Sequence, residues 1–233
     1  MRKKLSAVVA ILAFMLMGQA QGFSLTGNQH ITVDTVYGGS NWLYDTSWVD
    51  IVSGGSVYQL QTYDNSSTNI SGDGSVYSLY TYDNSHVDMY NGTVQVWFKT
   101  QGSSSADIYG GSMHSLGIYN SSFVSISGGS MTYLYTHDLS SVELSGGSFD
   151  TLGAFNSSII TFNAQDYILG DGLSLIGNRL SGTGLLSGKW MDESQWAVNI
   201  GANDSTASIV LAPEPCTFLL LGLGAAVAVR KQK

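Results

Sequence analysis

The chain has 233 residues, of which 43% are hydrophobic, so it is long enough to bury one sizeable core. Only 11% of the residues are charged, compared with about 25% in typical soluble domains, and 28 residues are glycine. This composition excludes a disordered chain and is typical of short strands joined by many turns. The formal net charge of −8 argues against nucleic acid as a partner, because an acidic surface repels phosphate.

The first 22 residues have the layout of a secretory signal peptide. Basic residues at positions 2–4 precede an apolar run at positions 5–17, and small residues follow at Ala20 and Gly22. We expect an apolar signal helix at residues 1–22 that is cleaved after export. A retained membrane anchor is the alternative, but thirteen apolar residues fall short of the ~20 that span a bilayer.

A glycine-rich turn then recurs about every eighteen residues. The residues that follow it are Ser40, Ser56, Ser75, Thr93, Ser112, Ser130 and Ser148, at steps of 16, 19, 18, 19, 18 and 18. Eighteen residues are too few for a pair of helices or a propeller blade, but they suit one coil of a parallel β-helix. Proline is absent before residue 213, as expected for strands inside a hydrogen-bonded ladder.

Apolar residues recur at fixed offsets within this period. One place after the last six of the residues that follow the turn, from Ser56 to Ser148, are Val57, Val76, Val94, Met113, Met131 and Phe149; four places after the same six are Leu60, Leu79, Trp97, Leu116, Leu134 and Leu152. If the coils lie directly over one another, each set becomes a vertical line inside the core. We therefore predict an all-β fold, a single-stranded parallel β-helix at residues 23–163. The absence of a six-residue sub-period favours a right-handed winding.

The period fades after Phe162. We expect residues 164–211 to form a terminal coil and a cap over the open end of the stack, with Trp190 and Trp196 packed inside the cap.

Polar residues recur in the second turn of each coil. They are Asp64, Asp83, Gln101, Asn120, Asp138 and Asn156, followed two places on by Ser66, Ser85, Ser103, Ser122, Ser140 and Ser158. The favoured interpretation is a ladder of Asx turns, in which the side chains bond to nearby backbone. The alternative is a cation site between Asp64 and Asp83, the only metal site that this column suggests. We otherwise expect no metal and no cofactor.

An aromatic column lies next to the polar one. Its members are Tyr63, Tyr82, Tyr119, His137 and Phe155, with Thr100 as the interruption. If the column faces water, it offers a platform for the apolar faces of sugar rings. If it faces inward, it is a corner of the core. A third column contains Thr62, Thr81 and Thr136 but is interrupted by Lys99, Ile118 and Ala154, and it is the only candidate for an ice-binding face.

The tail at residues 212–233 has three distinct parts. In order, they are Pro213, Glu214 and Pro215, the apolar stretch Phe218–Val229, and the basic residues Arg230 and Lys231. The apolar stretch is marginal for a membrane span, because twelve helical residues reach only about 18 Å. The basic end would stay in the cytoplasm.

These residues resemble the PEP-CTERM sorting signal of Gram-negative bacteria. The resemblance implies export across the inner membrane, transient retention there by a C-terminal apolar helix, and cleavage by an exosortase-like sorting protease. Proteins with this tail often accompany exopolysaccharide production, and the same tail is also attached to proteins described as ice-binding.

We expect an exported β-solenoid at the cell surface or in the extracellular matrix, with a structural or glycan-associated role and no enzymatic activity. The four histidines fall at different offsets in the repeat and Lys99 stands alone, so no acid and base recur in one groove. The alternative is a β-helix polysaccharide lyase or hydrolase, since the predicted shape resembles that of pectin lyases. An ice-binding protein is the third class considered.

Overall fold

A computed structural model describes residues 21–203 and 207–212. Most of the predicted signal peptide lies outside the described residues. So do Pro213, Glu214, Pro215, Arg230, Lys231 and the apolar stretch before the basic pair. Within the described ranges, we find no helix with the length and apolar character needed to cross a membrane.

Each coil contributes one longer and one shorter strand. The longer strands have seven or eight residues and are β3 (Val36–Leu43), β5 (Ser56–Thr62), β7 (Ser75–Thr81), β9 (Thr93–Thr100), β11 (Ser112–Ile118), β13 (Ser130–Thr136) and β15 (Ser148–Ala154); the first coil has only the two-residue strand β1 (Ser24–Leu25) at this place. The shorter strands are β2 (His30–Val33), β4 (Trp48–Ile51), β6 (Ser67–Ile70), β8 (His86–Met89), β10 (Ser105–Ile108), β12 (Phe123–Ile126), β14 (Ser141–Leu144) and β16 (Ile159–Phe162).

The two kinds of strand form two sheets, which we call the long-strand sheet and the short-strand sheet. From β3 to β16 each strand pairs in parallel with the equivalent strands of the coils before and after it, and within the described part of the chain β1 and β2 pair only with the coil that follows. The result is a β-solenoid of about eight turns, which confirms the predicted parallel β-helix. Its right-handed winding stays a prediction.

The central apolar column confirms the stacking but corrects one of its members. The residues that lie over one another, all with no exposed surface, are Leu60, Leu79, Phe98, Leu116, Leu134 and Leu152. Phe98 occupies the place predicted for Trp97. Strand β9 contains one extra residue, and the register with β7 shifts after Val94. The bulge turns Trp97 outward, where 38% of its surface is exposed.

Buried hydroxyl groups form a ladder beside the apolar core. The threonines at the strand ends, Thr62, Thr81, Thr100 and Thr136, have no exposed surface. Each bonds a buried serine of the next coil, in the pairs Thr62–Ser85, Thr81–Ser104, Thr100–Ser122 and Thr136–Ser158, at 2.8–3.1 Å.

This ladder corrects two expectations. Ser104 takes the place predicted for Ser103, again because of the extra residue in β9. The threonine column considered as an ice-binding face points into the core, and it contains Thr100 where Lys99 was expected. A buried column cannot present hydroxyl groups to ice.

The C-terminal end closes the stack with antiparallel strands. They are β17 (Ala164–Leu169), β18 (Leu173–Ile176), β19 (Arg179–Gly182) and β20 (Gly184–Trp190), followed by β21 (Gln195–Asn203) and β22 (Ser208–Leu211). Strand β21 pairs in parallel with β15, and β22 pairs in parallel with β16, so these two strands form a last parallel coil. Antiparallel pairing joins β17 with β20, β18 with β19, and β20 with β21.

Two tryptophans fill the end of the core, as predicted. Trp190 and Trp196 are 2% and 5% exposed, and their ring centroids are 5.0 Å apart. Both rings also stack on Phe162, and Trp190 Nε1 donates to the carbonyl of Gly147 at 2.9 Å. The described residues therefore contain a hydrophobic plug at this end of the solenoid.

The hydroxyl ladder predicts a stability cost for Ser85→Ala. Ser85 Oγ donates to the carbonyl of Tyr82 at 2.7 Å and accepts from Thr62 Oγ1 at 3.1 Å. Its removal leaves buried polar groups without that partner, so the free energy of unfolding should fall by about 1–3 kcal/mol. Ser67, on the outer side of the short-strand sheet, is the control, and Ser67→Ala should change stability by less than about 0.5 kcal/mol. Urea unfolding followed by circular dichroism measures both, and equal effects would contradict the role of the ladder.

Candidate functional site

The polar turn column consists of residues in the left-handed conformation. Its members, with φ between 56° and 71°, are Asp45, Asp64, Asp83, Gly102, Asn120, Asp138 and Asn156. Asp and Asn tolerate this conformation better than other side chains do. Gly102 replaces the predicted Gln101, and a Cβ there would lie 2.9 Å from the backbone nitrogen of Asp83.

The side chains of this column bond between coils rather than within their own turns. The carboxylate of Asp64 accepts from the backbone N–H of Asp45 at 3.0 Å, and that of Asp83 accepts from the N–H of Asp64 at 3.3 Å. Asn120 and Asp138 repeat the pattern higher in the stack. The predicted Asx turns are therefore wrong for these residues, because their side-chain oxygens accept from the backbone of the preceding coil. A cation between Asp64 and Asp83 stays the alternative hypothesis for this column.

The predicted aromatic column faces outward and is half-buried. Tyr63 stacks on Tyr82 with centroids 4.8 Å apart, and Tyr44 extends this stack by one ring. A second stack contains Tyr119, His137 and Phe155, with spacings of 4.8 and 4.6 Å. The interruption is Gln101, which precedes Gly102 in the turn, and not Thr100, which is buried.

The geometry of these stacks limits how a sugar could use them. Interplanar angles of 5–11° place the rings nearly parallel, so neighbouring rings cover one another's faces. Sugar binding of the stacking type needs a free ring face. Within each stack only the ring edges and the terminal faces are left for a ligand.

Partial burial favours the neutral forms of the titratable rings in this column. Burial is the main cause that raises the pKa of the Tyr63, Tyr82 and Tyr119 phenols above their ordinary value. Burial also lowers the pKa of His137, and the nearby Asp138 carboxylate offsets only part of that shift. A neutral imidazole completes the stack between Tyr119 and Phe155.

A broader aromatic surface lies on the outer side of the long-strand sheet. We call it the aromatic face, and it comprises Tyr58, Tyr77, Tyr80, Trp97, Tyr133 and Tyr135. Tyr58 and Tyr77 are stacked at 4.8 Å and are 54% and 39% exposed. At Gly153 the rings of Tyr135 and Phe155 pack so closely on the backbone that a Cβ would lie within 3.1 Å of both.

Trp97 lies on this face near Lys99, which belongs to the same strand, β9. Lys99 Nζ is 4.8 Å from the centroid of the Trp97 ring and 5.9 Å from that of Tyr80. These are cation–π distances, and they hold the two rings and the ammonium group together. Sequence reasoning missed this cluster because it assigned Trp97 to the core. The signal that could have found it is the extra residue before Phe98.

A shallow groove of about 420 Å³ borders the aromatic face and crosses four coils. One side is lined by hydroxyl groups, those of Thr93, Ser112, Ser130 and Ser148; the other includes Gln95, His114, Thr132 and Asp150. The His114 ring meets Tyr133 edge to face at 5.4 Å, which joins the groove to the aromatic face. Together they offer rings and hydrogen-bonding groups along the solenoid axis.

Comparison with protein-family models, with curated proteins and with solved structures finds no match for this chain.

The lowered pKa of His137 predicts a pH-dependent stability. Because the folded state holds this imidazole neutral, the unfolded state binds more protons once the pH falls below its ordinary pKa of about 6.5. Stability from this residue is thus complete above pH 6.5 and decreases as the pH falls toward the lowered pKa. His137→Phe keeps a ring between Tyr119 and Phe155 but cannot titrate. Urea midpoints between pH 8 and pH 5 should fall more steeply for the unmodified chain than for His137→Phe, and parallel curves would refute this origin.

Proposed function

We propose that this protein is an exported β-solenoid of the cell surface or extracellular matrix that binds neutral glycan and plays no catalytic part. The observation that carries the proposal is the aromatic face, with Trp97 and Tyr80 held around Lys99 beside a groove lined with hydroxyl groups. An exopolysaccharide, the predicted partner, offers apolar C–H faces to the rings of this surface and hydroxyl groups to the groove.

The aromatic face has the two kinds of group that carbohydrate recognition requires. Trp97 is 38% exposed and has no parallel ring against it among the described residues, so the ring face that Lys99 does not cover can stack on the apolar C–H face of a sugar, and the hydroxyl groups of the groove can bond sugar hydroxyls. Because each group is carried by a strand of a rigid sheet, little conformational entropy is lost when a glycan binds. A groove that crosses four coils suits a linear chain better than a single sugar.

The charge of the protein supports a neutral ligand. Residues 23–212 contain sixteen Asp and Glu residues but only three bases, Lys99, Arg179 and Lys189, a formal charge of −13. Such a surface repels polyanions such as nucleic acid and acidic polysaccharide.

The groove offers a weak basis for catalysis. Its titratable residues are His114, in β11, and Asp150, in β15, which are two coils apart. Glycoside hydrolases generally use a pair of carboxyl groups, whereas Asp150 is the only carboxylate among the described residues that line this groove. We therefore favour binding over the lyase or hydrolase alternative.

Trp97→Ala tests the binding surface. Affinity electrophoresis of the purified full chain in gels that contain neutral polysaccharides should show retardation, and Trp97→Ala should weaken it about tenfold or more, as loss of one stacking ring predicts. Phe123→Ala is the matched control, because Phe123 is also 38% exposed but lies on the short-strand sheet.

Three outcomes would contradict the proposal. They are equal loss of retardation in the two variants, no retardation by any neutral polysaccharide, and release of shorter sugars from the polysaccharide. The last would favour the lyase or hydrolase. Circular dichroism of both variants confirms that the fold is intact.

We further propose that the tail directs sorting through an exosortase-like protease. The order of Pro213–Glu214–Pro215, an apolar stretch and a basic cluster supports this. In this scheme the tail holds the precursor briefly in the inner membrane after export, and cleavage near the tripeptide releases the acidic solenoid to the surface.

Replacement of the tripeptide by three alanines tests the sorting step. In a Gram-negative host with an exosortase, fractionation and immunoblotting should find the variant as an uncleaved membrane precursor. The unmodified chain should reach the surface in a shorter form. Gln232→Ala, at the extreme end, is the control, and identical processing of all three chains would refute the role of the tripeptide.

A further inference from the structure

A histidine and two aspartates converge on the outer side of the short-strand sheet. His86 and Asp88 lie on β8, two residues apart and therefore on the same face, and Asp107 lies on β10 in register with Asp88. Ligand atoms from the three side chains lie within 4.8 Å of one another. All three side chains are partly exposed, so an ion from solution can reach them.

A hydrogen bond orients the imidazole of His86 toward the two carboxylates. Its Nδ1 atom is 2.8 Å from Ser105 Oγ, on the neighbouring coil. Its Nε2 atom lies 3.3 Å from Asp88 Oδ2 and 3.8 Å from Asp107 Oδ2. When Nδ1 donates its hydrogen to Ser105, the lone pair of Nε2 faces both carboxylate oxygens. An outer hydrogen bond of this kind fixes the tautomer of a metal-binding histidine.

The negative charges of the Asp88 and Asp107 carboxylates have few positively charged partners. Among the described residues, His86 is the only ion-pair partner of Asp88 or Asp107.

The same column offers an internal comparison at Asp50. There the carboxylate meets two separate groups, His30 Nε2 at 2.7 Å and the amide of Asn69 at 2.7 Å. At Asp88 and Asp107, in contrast, one imidazole lies between two carboxylates. A single cation at this point would meet three ligands at once.

We propose that His86, Asp88 and Asp107 bind one divalent transition-metal ion of the Zn²⁺ type. The mixture of one imidazole and two carboxylates suits Zn²⁺, which commonly takes three protein ligands with water in the fourth position. Ca²⁺ binds less well, because it prefers six to eight oxygen ligands. The ion joins β8 to β10 and so ties two neighbouring coils together outside the core.

Isothermal titration with ZnCl₂, on the full chain purified without a histidine tag, tests the site. We expect one ion per chain and binding to CaCl₂ at least tenfold weaker. His86→Ala and Asp107→Asn should each weaken Zn²⁺ binding tenfold or more. Saturating ZnCl₂ should raise the melting temperature of the unmodified chain by about 5 °C but not that of Asp107→Asn.

His30→Ala is the matched control, because it removes a histidine of the same face that also pairs with an aspartate. It should leave the affinity for Zn²⁺ unchanged. The proposal is overturned by an absence of saturable binding in the millimolar range, by equal affinities for Zn²⁺ and Ca²⁺, by unchanged affinity in Asp107→Asn, or by an equal loss in His30→Ala. Asp107→Asn is nearly isosteric, so it decides the matter even if His86→Ala fails to fold.

Discussion

Hydrogen bonding of each coil to the coil before it is the constraint on which the rest of this structure depends. Parallel pairing turns residues eighteen to twenty apart in the chain into neighbours, as at Leu60, Leu79 and Phe98. The stack does not require every coil to have the same length. Strand β9 absorbs an extra residue in a local bulge, and the register on both sides of it is kept. Without the bulge, every later side chain of that strand would change faces.

Stacking also explains how polar groups are satisfied in this protein. In the core, each threonine hydroxyl of the ladder meets a serine one coil further on. At the surface, Asp64 and Asp83 use their carboxylates to accept backbone N–H groups of the preceding coil. In both cases the partner is supplied by the repeat itself. Like-charged side chains can therefore stand in one column, because each is bonded to an amide and does not simply face the next carboxylate.

The candidate binding features lie where the repeat is least regular. Where similar rings follow one another, as in the stack of Tyr63 and Tyr82, they cover each other's faces and leave little for a ligand. Trp97 is turned outward by the bulge and stands beside Lys99 instead of in a stack of identical rings. His86 likewise stands between Ser67 and Ser105 in its column, and this position brings its imidazole to two carboxylates. The regular coils thus form a rigid frame, and the residues that depart from the repeat, such as Trp97 and His86, form the candidate binding sites.

The sequence by itself determined the period, the parallel stacking and the identity of most inward columns, because apolar side chains at a fixed offset must share one line in a stacked coil. It also indicated that a polar residue, mostly Asp or Asn, recurs at one turn position of each coil, although the left-handed conformation of that position became visible only in the structure. Only the tertiary structure decided that Phe98 and not Trp97 is buried, that Thr62 and Thr81 point inward, and that the rings of Tyr119 and His137 cover one another. The physical reason is that a strand alternates faces at every residue. A single inserted residue, or the unknown orientation of a turn, therefore changes which side chains meet, and pairs such as Asp88 and Asp107 become neighbours only through the exact register of their coils.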